Sequence, residues 1–195
     1  MRMRRLARAL IVTAPIAALP LGAPGLIDVA HASTLVSTTC AGPLAPGAYG
    51  NVIAGAGCVI DGSETISGNV TVGSGGSLTM TDTTVGGNLQ ANGATALSVE
   101  GSIVNANVAV QNSPAGVSVF AGNTVRGNLQ VQLNASFTFV EANTVGGNLQ
   151  AQRNTGGGLL SINSVGGNCG LQGNSPAITG LANTAGGNNT CNAEA

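Results

Sequence analysis

The sequence predicts an all-β fold: a single-stranded parallel β-helix, or solenoid, with about 20 residues per coil. Three observations carry that reading. The phrase VGGNLQ or a close variant returns once per coil. Segments such as SLTM, VSVF, NLQVQ and FTFV alternate with the period of two that a half-buried strand requires. Every coil also carries Gly, Asn and Thr at a density no helix tolerates. Coils open at Tyr49, Ile66, Val85, Val104, Val125, Val145, Val165 and Ala185, about seven full turns. Leucine-rich repeats share the period, but their leucine pattern is missing. Right-handed winding is expected, because left-handed solenoids repeat hexapeptides and parallel crossovers favour the right hand.

Each coil then reads as aliphatic residue, glycine-rich pair, asparagine and alternating strand. The asparagines are Asn51, Asn69, Asn88, Asn107, Asn128, Asn148, Asn168 and Asn188. Coils of a parallel stack lie ~4.8 Å apart, so one position can bond as a column and fix register. The preceding residue is glycine except at Ala106, which suits a corner needing positive φ or close backbone approach. Asn123, Asn143, Asn163 and Asn183 form a second column, and Asn112, Asn134, Asn154 and Asn174 a third, which gives three strands per coil. Leu89, Val108, Leu129 and Leu149 are expected to point inward, and Phe137 and Phe139 to fill a wider part of the same core. Tyr49 is left open.

Arg2, Arg4, Arg5 and Arg8 precede an apolar run broken by Pro15, Pro20 and Pro24, and Ala30-His31-Ala32 fits a peptidase site. Residues 1–32 read as a cleaved signal peptide rather than a membrane anchor. Segment 33–48 is then an N-terminal cap, 49–184 the coils and 185–195 a C-terminal cap. Beyond the signal only Arg126 and Arg153 oppose Asp61, Glu64, Asp82, Glu100, Glu141 and Glu194. Without a basic patch, nucleic acid is excluded as a partner. The mature chain is expected outside the cell, secreted or loosely bound to its surface, with no membrane insertion.

Cys40 and Cys58 are about one coil apart, as are Cys169 and Cys191, so the expected bridges are Cys40–Cys58 and Cys169–Cys191, closing the two ends. Zinc is disfavoured because thiols at opposite ends cannot converge and no mature histidine completes a site. No metal and no cofactor are expected.

Extracellular β-helix enzymes acting on acidic polysaccharides need paired carboxylates with a basic residue or calcium. Asp82 and Glu100 occupy similar places in adjacent coils and are the only candidate pair; solvated acids are the preferred reading. Two glutamine rows, Gln90, Gln130 and Gln150 beside Gln111, Gln132, Gln152 and Gln172, predict a flat amide face for a glycan or peptide, although such columns could also stabilise the stack. A file of Thr84, Thr124, Thr144, Ser164 and Thr184 raises ice binding, which a single file supports weakly.

The NTVGGNLQ phrase, export signal and terminal cysteines resemble secreted bacterial parallel β-helix repeat proteins of no assigned activity, over about residues 40–191. The likeness implies fold and export only. A weaker likeness is to bactofilins, polymer-forming solenoids of similar coil length, from which the signal and terminal bridges depart. The expected function is a secreted, non-catalytic structural or surface-interaction solenoid presenting its amide face to the envelope, a glycan or a protein. The alternative is a polysaccharide-active enzyme using Asp82 and Glu100.

Overall fold

Alternating apolar residues bury one side of each short strand, and corners at three places per coil divide the structure into three parallel sheets. The computed structural model describes residues 36–114 and 116–192; the expected signal peptide at 1–32 lies outside them. Sheet A stacks eight strands: Ser37–Cys40, Asn51–Ala54, Val70–Val72, Leu89–Asn92, Val108–Gln111, Leu129–Gln132, Leu149–Gln152 and Cys169–Gln172. Sheet B stacks seven: Cys58–Ile60, Ser77–Thr81, Ala96–Glu100, Val117–Ala121, Phe137–Glu141, Gly158–Ser161 and Ile178–Leu181. Sheet C stacks eight short ones: Gly47–Tyr49, Glu64–Ile66, Thr84–Val85, Ile103–Val104, Thr124–Val125, Thr144–Val145, Ser164–Val165 and Thr184–Ala185. The chain is therefore an all-β parallel solenoid of about seven coils with about 20 residues per turn.

The core is a set of aliphatic columns. Sheet A contributes Val52, Val70, Leu89, Val108, Leu129 and Leu149 in register, all buried. Ile66, Val85, Val104, Val125, Val145 and Val165 form the matching column of sheet C. Tyr49 stands at the foot of that column, partly buried, and its hydroxyl donates to the Ala45 carbonyl at 2.6 Å. In sheet B the inward positions are Leu78, Met80, Leu97, Val99, then Ser118, Phe120, Thr138 and Val140.

This last column corrects one expectation. Phe137 is 41% exposed and Phe139 is half-buried, so both point outward while Thr138 and Val140 fill the core. The segments V-S-V-F-A and F-T-F-V-E are apolar in either phase of their alternation. Register with Leu97 and Val99 below selects the phase, because a one-residue slip would turn those leucine and valine columns to solvent.

The corners use two devices. Glycines before the first asparagine column answer to close approach rather than positive φ. A Cβ on Gly147 would lie 2.6 Å from Asn128 Oδ1 and 3.0 Å from the Gly127 carbonyl oxygen. The other two corners turn through left-handed residues placed immediately before a buried polar residue. Ala142, Ile162 and Ala182 (φ 54, 56 and 53) precede Asn143, Asn163 and Asn183; Leu133 and Arg153 (φ 56 and 53) precede Asn134 and Asn154. Such backbone costs about 1–2 kcal/mol per non-glycine residue, so the hydrogen bonds beyond each turn must offset it.

Those bonds run through all three columns. In the first, each Oδ1 accepts the backbone N–H of the next coil's asparagine, from Asn51 to Asn69 (2.8 Å) through Asn128 to Asn148 (2.8 Å) and Asn168 to Asn188 (2.8 Å). The second runs in the opposite sense and is buried: Asn123 N–H donates to Asn143 Oδ1 (2.9 Å), and Asn143 N–H to Asn163 Oδ1 (3.0 Å). Its Nδ2 groups reach inward carbonyls, Asn143 to Phe120 and Asn163 to Val140, each at 2.8 Å. In the third column Ser113, not Asn112, is the lowest member, because its N–H donates to Asn134 Oδ1 (2.9 Å); Asn112 is the left-handed residue before it (φ 55).

Both expected disulfides form, Cys40–Cys58 (Cα–Cα 5.3 Å) and Cys169–Cys191 (5.5 Å), and all four cysteines are buried. Cys40 and Cys58 lie on the first strands of sheets A and B, so their bridge ties two sheets across one end of the stack. At the other end the Asn183 N–H donates to Asn192 Oδ1 (2.8 Å), which completes the second column with a residue from the closing segment. The stack also begins early: Ser37–Cys40 pairs with Asn51–Ala54, and Pro43 bridges to Val59 at the edge of sheet B. Two structural disulfides fit an oxidising compartment. No helix among the described residues is long and apolar enough to cross a membrane.

Candidate interaction faces

The outward positions of sheet A form two rows set by the strand register. One runs Thr71, Gln90, Ala109, Gln130, Gln150 and Gly170; the other runs Asn92, Gln111, Gln132, Gln152 and Gln172. All seven predicted glutamines therefore share one face, and no charged residue stands among them. Gln90 and Gln172 are exposed, and Gln111, Gln130, Gln132, Gln150 and Gln152 are half-buried by their neighbours along the stack.

Chemically these amides differ from the asparagine amides at the corners. The corner amides bond to the adjacent coil throughout the stack. None of the seven glutamine side chains makes a hydrogen bond to another described residue. Any contribution of the glutamine columns to the stack therefore comes from packing rather than from hydrogen bonds between their amides. Each amide keeps two donors and an acceptor for solvent or a ligand.

The first row carries short side chains at Thr71, Ala109 and Gly170. A depression of about 300 Å³ opens beside Ala109, walled by Thr71, Gly73, Gln90, Asn92 and Gln111. Another of about 220 Å³ opens over Gly170, walled by Gln150, Gln152, Gln172 and Thr190.

Sheet B carries a second face that the sequence reading missed. Val117 and Phe137 are register neighbours, and Val119, Phe139 and Leu159 form the adjacent outward column. The two phenylalanine rings lie 4.7 Å apart with a 55° tilt. A Cβ on Gly157 would meet Pro176 Cγ at 3.1 Å and Phe137 Cε2 at 3.8 Å, so the Phe137 ring and Pro176 cover the backbone at Gly157. That gives Phe137 a structural task beside a residue with no side chain of its own.

The acidic pair is brought into adjacent coils. Asp82 is a left-handed corner residue (φ 49) whose N–H donates to the Glu100 carbonyl at 3.0 Å, and Glu100 Oε1 accepts from the Ser98 hydroxyl at 2.8 Å. Both residues are exposed, and neither lines the two depressions of sheet A. Among the described residues no group of three His, Cys, Asp or Glu side chains stands ready to hold a metal ion. The Ser63 hydroxyl, then the Ser63 amide, hold the Asp61 carboxyl below its ordinary value. Thr84, Thr124, Thr144, Ser164 and Thr184 do line up in sheet C, exposed, but Ile103 interrupts the file between Thr84 and Thr124.

The chain matches no family model, no curated protein and no solved structure.

Proposed function

We propose that this chain is a secreted, non-catalytic solenoid whose uncharged amide face on sheet A is its contact surface, on the outer side of the cell, for an extended uncharged ligand such as an envelope glycan or a polar protein segment. The carrying observation is the division of labour among the amides. Asparagine side chains are consumed by hydrogen bonds between coils, while the glutamine side chains on one face have no hydrogen-bond partner among the described residues. A face of this kind binds through many weak hydrogen bonds, each about 1 kcal/mol net, so it suits a polymer that engages several coils at once. The absence of formal charge on the face favours neutral ligands over acidic polysaccharides and nucleic acid.

The test is a glycan array and polysaccharide pull-down with the protein of residues 33–195. Wild type should retain a neutral glycan, and the fourfold change of Gln130, Gln132, Gln150 and Gln152 to Ala should weaken retention at least about tenfold with the circular dichroism spectrum and melting unchanged. Equal retention by the fourfold variant would place the contact elsewhere. Release of shortened glycan by wild type, lost on Glu100→Gln, would instead favour the polysaccharide-active enzyme.

A further inference from the structure

We infer that the depression beside Ala109 is a subsite for one uncharged pyranose ring, free or as a unit of a neutral glycan. The inference rests on the reading of sheet A as the contact face and names its ligand class. Thr71, Gln90 and Ala109 follow one another in the first row, so one long amide stands between two short side chains, and Asn92 and Gln111 flank them in the second row. A Cβ on Gly73 would meet no heavy atom within 4 Å, so the depression opens outward over that residue. Its volume of about 300 Å³ lies at the lower end of the ~300–1,000 Å³ range of small-molecule sites, which suits a single ring.

Four polar groups border that space with hydrogen-bonding capacity to spare. The Thr71 hydroxyl and the Gln90 and Gln111 amides make no hydrogen bond to another described residue. Asn92 is oriented by its neighbour: its Oδ1 accepts from Asn112 Nδ2 at 3.0 Å, which leaves its own Nδ2 as a donor to the depression. Ala109 adds a methyl group among them. A pyranose answers this set, with hydroxyls that each donate and accept around its edge and an apolar C–H face for the methyl. Other ligand classes fit less well. No charged residue lines the depression, so a phosphate, a carboxylate or a zwitterion finds no counter-charge, and no aromatic side chain is there to stack a planar base. An extended peptide is taken up at an unpaired strand edge, whereas all three strands beneath the depression are paired on both sides. The depression at Gly170 is smaller, about 220 Å³, and its Thr190 hydroxyl already serves the Leu171 N–H (3.3 Å) and the Cys169 carbonyl (3.4 Å).

The test is an NMR titration of the protein of residues 33–195 with the methyl glycosides of glucose, galactose, mannose and N-acetylglucosamine, each to about 50 mM, read on the side-chain amide signals. At least one glycoside should shift the Gln90, Asn92 and Gln111 amides with a millimolar Kd and leave those of Gln150 and Gln152 in place. Ala109→Gln introduces the residue that the coils on either side carry, and Gly73→Val places its side chain in open space, so both variants should fold. Each should weaken binding at least about tenfold by filling the depression. Gln111→Leu keeps the wall but removes its amide and should weaken binding about fivefold. The fourfold alanine change at Gln130, Gln132, Gln150 and Gln152 should leave glycoside binding unchanged. Silence of all four glycosides, a response that survives Ala109→Gln, or a larger response to an uncharged capped alanine peptide would overturn the inference. Where glycosides bind, loss of glycan retention on Ala109→Gln places the ring on a polymer, and glycoside binding without glycan retention makes the ligand a free sugar; both uphold the subsite. Glycan retention that falls in the fourfold alanine variant, with no glycoside response, would sink the subsite alone. Absence of both would sink the reading of sheet A as a contact face as well.

Discussion

Replacing Asn143 by Ala tests whether the buried asparagine column is what holds the coils in register. The Asn143 side chain serves both neighbouring coils. Its Oδ1 accepts from the Asn123 N–H (2.9 Å) and Nδ2 (3.0 Å), and its Nδ2 donates to the Phe120 carbonyl (2.8 Å) and Asn163 Oδ1 (3.0 Å). Truncation removes all four bonds and leaves the buried Asn123 N–H without this acceptor. An orphaned buried polar group costs about 1–3 kcal/mol, so with the Phe120 carbonyl also losing a donor the expected loss is about 3–5 kcal/mol. Asn148→Ala is the internal control. Its Oδ1 likewise accepts one backbone N–H, from Asn168 at 2.8 Å, but Asn168 is exposed and water replaces the lost bond, so about 1 kcal/mol is expected. Urea unfolding followed by far-ultraviolet circular dichroism gives both values. Equal losses in the two variants, or a loss below about 1 kcal/mol at Asn143, would refute the claim that burial makes the second column decisive.

Four further outcomes follow from the same geometry. Gly147→Ala drives a methyl group to within 2.6 Å of Asn128 Oδ1 and should cost about 2 kcal/mol or more in the same assay, through strain and a broken column bond. Ile162→Gly should raise the melting temperature, since a β-branched residue 59% exposed at φ 56 gives up little burial and sheds about 1 kcal/mol of left-handed strain. Joint Cys169→Ser and Cys191→Ser replacement opens a bridge of sequence separation 22 and should lower stability by about 3 kcal/mol, read as a shift in urea midpoint. Because Ser63 depresses the folded-state Asp61 carboxyl, its stabilising effect is complete above the ordinary carboxylate range and fades as pH falls through the folded value. Wild type and Asp61→Asn should therefore differ in stability at neutral pH and converge in acid.

How far the chain could be read in advance depended on whether a residue's task repeats. The asparagine before each sheet A strand, the disulfide pairs and the glutamine rows recur at coil spacing, so stacking alone sets each beside its like. Phe137 and Phe139 were misjudged because their segment is apolar in both phases, and local alternation carries no information about which phase faces in. Asn112 was misjudged for a related reason: one residue of drift moved the column position to Ser113, which no composition rule distinguishes. The gaps at Ala109 and Gly170 were visible as letters, but not as depressions between amides.

By itself the sequence determined the repeat, the parallel solenoid, the three-cornered coil and the pairing of its cysteines, because each is a consequence of period and of what must stack on what. Only the tertiary structure decided which side of sheet B is core, which corners use left-handed backbone and which use close approach, and which amides are consumed. Those choices are made by register between coils, a long-range contact that no single coil encodes. The same register leaves the glutamine amides of sheet A without a hydrogen-bond partner among the described residues.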